Sequence, residues 1–216
     1  MYIQMGKIIF KAVFFTVAIL LSGCAMYYRP INPEKLNYNI REKQDGIEFS
    51  YRYDVLRERG NKKMGKKELK NGIKIIAVRI TNNSDSTICI GSDVVFYTGL
   101  KEVTPLSPII VKNAVKQSII GYLPYFIGAF GNSTVTLNGR VVSTFNFGLI
   151  LWPGIAIGNM LVANTANSNL LKELNKYDMI GTKIKPGVTV YGIIGIQDDG
   201  FIPLTIKNIS HTGAVL

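Results

Sequence analysis

Two cysteines, one histidine and two adjacent aspartates are the residues of this 216-residue chain whose types invite chemistry. A thiol attacks as its thiolate. Cys24 stands directly after Leu21-Ser22-Gly23, where small side chains leave the peptide bond open to a peptidase, so alkylation of the thiol and cleavage before it is the chemistry this spacing points to. Cys89 lies in the apolar run Thr87-Ile88-Cys89-Ile90 and is expected to be a buried, inert strand residue; with Cys24 modified it has no disulfide partner in the chain. His211 is the only histidine and sits near the C-terminus, so a histidine base or metal site has little to build on. Asp198 and Asp199 precede Gly200, which is turn composition rather than a catalytic carboxylate pair. No serine stands in a Gly-x-Ser-x-Gly elbow, and the sequence has no phosphate-cradling loop, Cys-x-x-Cys pair or calcium loop. The reading is therefore of a non-enzymatic protein with no catalytic residue, metal or cofactor, and with no small-molecule substrate evident.

The segment in front of Cys24 is what must position it. Lys7 and Lys11 form a basic n-region, residues 12–21 are an uncharged apolar run too short for an ordinary spanning helix, and the small residues follow. With Leu21, Ser22 and Gly23 as the lipobox and Cys24 behind it, this leader resembles that of bacterial lipoproteins. The resemblance covers residues 1–24. It implies that the Cys24 thiol carries diacylglycerol, that residues 1–23 are removed, and that acyl chains such as palmitate anchor the new N-terminus to a membrane. It also implies a cell-envelope location. Aspartate after the cysteine favours inner-membrane retention in the best-known lipoproteins; Ala25 occupies that position and leans towards the periplasmic face of the outer membrane.

Loss of residues 1–23 removes two lysines and no acids, so the net charge falls from +11 to +9 over 193 residues. Such a balance favours solubility and attraction to anionic headgroups. Nucleic acid is not expected as a partner of an exported chain.

Residues 24–45, with Pro30 and Pro33, read as a tether, and residues 46–216 as one domain. Ile47, Phe49, Tyr51, Tyr53 and Val55 alternate with polar residues, as do Ile76, Val78 and Ile80, and a third run from 88 to 97 is interrupted at Gly91-Ser92-Asp93. Between the first two strands, residues 57–74 hold eight basic residues and two acids and read as a solvated hairpin loop, dispensable for folding, with lipid headgroups or a polyanion as the alternative contact. Residues 188–196 and 204–209 are expected to form a closing hairpin that rejoins the first sheet.

Residues 117–171 carry a single charge, Arg140. A helix from about Ile109 is expected to run into the apolar stretch 119–130 and to kink at Pro124. A second apolar stretch, 147–163, holds Leu149, Leu151 and Trp152, and Gly154 and Gly158 lie at the spacing that lets helices approach closely. Asn138-Gly139 between them is a type I′ turn pair.

Strands at both ends and this excursion predict a mainly β fold: an antiparallel β-sandwich, immunoglobulin-like or similar, carrying an apolar helical hairpin as an insertion at about 109–176. Gly158-Asn159-Met160, the Ala-Asn-rich residues 163–167 and Pro186-Gly187 loosely resemble envelope lipoproteins of Bacteroidetes-type genomes, a likeness that implies no activity. An exposed apolar patch needs a cover. Here that cover is the membrane holding Cys24, a protein partner for which the chain is an accessory docking subunit, or the chain's own sheet, with Leu149, Leu151, Trp152, Gly154 and Gly158 as the contact residues.

Overall fold

This computed structural model describes residues 24–38, 40–130, 133–146, 148–198 and 200–209. The chain forms two compact units, Tyr28–Gln117 with Thr165–Leu216 (the body) and Ser118–Asn164 with the chain up to Tyr27 (the apolar unit).

Alternation builds the body. Strands β1 (Ile40–Gln44) and β2 (Ile47–Arg52) pair across a turn in which Asp45 and Gly46 both have positive φ. Helices α1 (Val55–Glu58) and α2 (Lys62–Lys70) lead to β3 (Ile73–Asn82), which pairs antiparallel with β2. Strands β4 (Ile88–Cys89), β5 (Val94–Thr98) and β6 (Lys101–Val103) and helix α3 (Pro108–Val115) follow. In the apolar unit a 3₁₀ segment (Ile120–Phe130) and the hairpin β7 (Ser133–Leu137) and β8 (Arg140–Phe145) precede helix α4 (Gly148–Lys176), whose last turns belong to the body. Strands β9 (Lys183–Ile184), β10 (Thr189–Gln197) and β11 (Leu204–Asn208) complete the body.

The body is an antiparallel β-sandwich, as the sequence predicts, and one of its sheets is covered by a helical layer. One sheet has the order β1-β2-β3-β10, the other β11-β5-β6, and β4 pairs with β9. Phe49, Tyr51, Ile76, Val78, Ile194, Phe96 and Ile206 are among the buried residues that fill the space between the sheets. On the opposite face of β3 and β10, Ile75, Ala77 and Ile193 meet Leu56, Met64, Val111 and Val115 from α1 to α3 and Ala166, Leu170 and Leu174 from α4. The spacing 166, 170, 174 is one helical stripe.

Several expectations are corrected. The segment 24–45 is not a free tether: residues from Tyr28 on belong to the body, Ile31 is fully buried, and β1 is a sheet strand. Residues 57–74 are largely helical, because Val55, Leu56 and Met64 turn into the core at helical spacing while the lysines face outward. Helix α3 ends at Val115 and does not continue into the apolar stretch, which is 3₁₀ around Pro124. Strands β10 and β11 are not a hairpin: β10 pairs with β3 and β11 with β5, so the turn at Asp198 crosses between layers. There the Gly200 N–H donates to Asp198 Oδ1 at 3.0 Å. Cys89 is partly exposed, since alternation that buries Ile88 and Ile90 turns the residue between them outward.

The tie between α2 and β3 is Glu68, which is buried and accepts the Ile75 N–H at 2.7 Å through Oε1. Burial, the largest cause, pushes its carboxyl up from 4.5 to about 7. Below pH 4.5 the carboxyl is protonated in the folded and unfolded chain alike, and between 4.5 and 7 only the unfolded chain loses the proton. Stability should therefore fall as pH rises through this window, by at most about 3 kcal/mol. Thermal melts of Glu68→Gln should show that slope flattened. Met64→Ala should cost about 2–5 kcal/mol in denaturant titrations, which a dispensable loop would not.

Candidate functional site

In the apolar unit, as in the body, the described chain is organised by a few specific contacts. The Ala25 N–H donates to Asn159 Oδ1 at 2.6 Å, and Asn159 Nδ2 donates back to the Ile155 carbonyl at 2.9 Å, so the residue after Cys24 is held on α4. Cys24 is half-buried beside Tyr122 and Tyr125. Burial pushes both tyrosine hydroxyls up, and the neighbouring Cys24 adds to the effect in each.

Trp152 organises the rest. Its ring centroid lies 6.4 Å from that of Tyr125, and a Cβ placed on Gly128 would come within 2.4 Å of its Cδ2. A side chain at 128 would thus displace the indole. Pro124, Tyr125, Ile127, Gly128 and Trp152 line an open groove of about 360 Å³ that is almost wholly apolar.

Around this contact the unit exposes apolar surface. Among its described residues thirteen large apolar side chains are exposed, among them Ile120 (74%), Phe130 (84%), Ile150 (76%) and Leu161 (63%). The hairpin adds Leu137, Val141 and Val142, and its turn forms as predicted, with φ of 52° at Asn138 and 78° at Gly139. Solvent-facing apolar surface on this scale marks an interaction site.

Of the residues singled out in the sequence, Leu149 and Leu151 are exposed and Trp152 is partly buried. Gly154 and Gly158 have nothing within 4 Å of where a Cβ would stand, so among the described residues no second helix closes on them. Leu21, Ser22, Gly23, Asp199 and His211 lie outside the described residues. Asn159, Tyr122, Tyr125 and Gly128 were not assigned roles in the sequence. Asn159 stands in the Gly-Asn-Met segment noted above, but its hydrogen bond to Ala25 spans 134 positions and has no local signature. Among the described residues no cluster of histidine, cysteine and carboxylate side chains is arranged to hold a metal, and Cys24 and Cys89 are in no disulfide.

Helix α4 is long and apolar enough to cross a membrane by length and composition. Its turns after residue 164 are committed to the body through Ala166, Leu170 and Leu174. The remaining 17 residues, 148–164, reach about 25 Å at 1.5 Å per residue, less than a hydrocarbon core of about 30 Å.

Comparison with protein-family models, with curated protein sequences and with solved structures finds no match to the chain.

Trp152 is the chain's only tryptophan and so reports on this unit directly. Gly128→Ala should expel the indole, shifting its emission to the red and lowering the unit's stability by about 1–3 kcal/mol; an unchanged spectrum would mean that the Gly128–Trp152 contact does not form.

Proposed function

We propose that this chain is a non-enzymatic, lipid-anchored cell-envelope protein whose apolar unit rests on the bilayer that holds Cys24. The observation that carries the reading is the shared location of the two anchors. The half-buried Cys24 belongs to the same compact unit as the exposed apolar residues, fixed there by the Ala25–Asn159 hydrogen bond and by Tyr122 and Tyr125 beside the thiol. A single acyl chain binds a membrane only marginally, whereas several chains, or a chain with a second membrane-binding signal, hold it stably. The exposed apolar side chains are that second signal. Because the free part of α4 falls short of the hydrocarbon thickness, the unit lies in the interface and does not cross it, with Trp152 and the tyrosines at the depth where amphipathic rings sit. The leader and Ala25 favour the periplasmic face of the outer membrane.

The test compares the full chain with its Cys24→Ser variant by membrane fractionation and intact mass. The wild type should lack residues 1–23 and carry acyl adducts on Cys24; a mass that retains the leader or shows no adduct would overturn the anchor. Added to neutral vesicles, the Cys24→Ser chain should show a blue shift of Trp152 emission, lost when Leu149, Leu151 and Ile150 are changed to Ser. A chain that stays in the supernatant with unshifted emission would overturn the membrane contact.

A further inference from the structure

The lysines of α2 are ordered by the fold into a charged stripe. Lys62, Lys66 and Lys70 recur every fourth residue, and all three are exposed, so they share one helical face, with Lys63 and Lys67 partly exposed beside them. The only acid of the helix, Glu68, is withdrawn to the opposite side, where it binds the Ile75 N–H. The end of α3 brings more positive charge: Lys67 Nζ donates to the Lys116 carbonyl, and Asn71 Nδ2 donates to the Ala114 carbonyl at 2.6 Å. Among the described residues the ion pairs are Arg52–Glu58, Arg57–Asp54 and Arg79–Glu48, and none involves Lys62, Lys66, Lys67, Lys70 or Lys116. Burial lowers the pKa of the Lys67 ammonium, and the nearby charges of Lys116 and Lys70 add to the effect.

A line of outward ammonium groups over about two helical turns, with its own acid turned inward, is complementary to an extended array of negative charge. We propose that the stripe Lys62-Lys66-Lys70 is a docking surface for anionic phospholipid headgroups, whose phosphate oxygens accept from the ammonium groups. The choice of occupant rests on the lipid-anchor reading. The body begins at Tyr28, four residues after Cys24, a span of at most about 14 Å when fully extended. So short a connection holds the body at the bilayer surface and keeps the local headgroup concentration high. Clusters of lysine near a membrane draw anionic lipid within a Debye length.

The experiment uses residues 24–216 with Cys24→Ser, so that neither covalent lipid nor the apolar leader contributes to any arm, and measures partition into phosphatidylcholine vesicles with and without about one third phosphatidylglycerol. The anionic vesicles should bind at least about tenfold more tightly, and the gap should close in high salt. Lys62→Gln, Lys66→Gln and Lys70→Gln together should abolish the gap, while the matching Arg triple variant should keep it; thermal melts of both confirm that α2 still folds. Equal partition of the unsubstituted stripe into the two vesicle types, or a gap that survives in the Gln triple variant, would overturn the proposal. Inorganic phosphate that raises the melting temperature as much as the vesicles do at equal phosphate concentration would assign the stripe to a soluble anion and overturn its assignment to lipid. Failure of the anchor itself is read separately, from the intact mass of the wild-type chain.

Discussion

Strand β3 is buried on both faces, and the layers of the body are placed by it. Residues Ile73–Asn82 form the middle of the larger sheet, paired to β2 on one side and β10 on the other. Ile76, Val78 and Ile80 enter the space between the sheets, while Ile73, Ile75 and Ala77 meet the helices. Each such side chain contributes about 1.5–3 kcal/mol when removed from water. Even Lys74 is drawn in, its charge lying 4.0 Å from the centroid of the Phe201 ring. A one-residue slip of this strand would exchange its two cores, so sandwich and helical layer have to form together.

That double burial also explains which parts of the fold were legible in the sequence. Ile47, Phe49 and Tyr51 alternate cleanly because β2 presents one strongly apolar face, and Asn138-Gly139 announces its turn through local backbone preference alone. In β3 the alternation of Ile76, Val78 and Ile80 was visible, but the helical layer that covers Ile75 and Ala77 was hidden in a stretch dominated by lysine. Helix α2 places only Met64, Gly65 and Glu68 inward, so its composition is that of a solvated loop although its spacing is that of a helix. The apolar unit was legible as a composition, a single charge in 55 residues, and not as an arrangement. The contacts that organise it, Asn159 with Ala25 and Gly128 with Trp152, join distant positions whose types are unremarkable singly.

Charge and apolar surface are segregated between the two units to an unusual degree. The body carries the basic stripe and every ion pair among the described residues, and residues 118–164 carry Arg140 alone. Segregation of this kind is costly for a protein free in water, since a wide exposed apolar surface promotes self-association. It is consistent with a chain that meets water on one part of its surface and lipid on another.

The chain enters the body under a double clamp. Asn61 exchanges hydrogen bonds with the backbone of Arg29, accepting at 2.9 Å and donating at 2.8 Å. Glu173 accepts the Ile31 and Asn32 N–H groups at 3.0 and 2.8 Å and the Tyr28 hydroxyl as well, and the Tyr28 proton is held more tightly by burial and by this carboxylate. Both clamps lie upstream of β1, the edge strand of the larger sheet. An edge strand pulled from its end opens like a zipper, one hydrogen-bonded pair after another. Traction on the chain where it enters the body meets Glu173 first and passes into the last turns of α4, where Ala166, Leu170 and Leu174 spread it across the sheet. The fold is thereby braced against a load applied where the chain enters the body, and the hairpin that such a load would otherwise peel away is left slack.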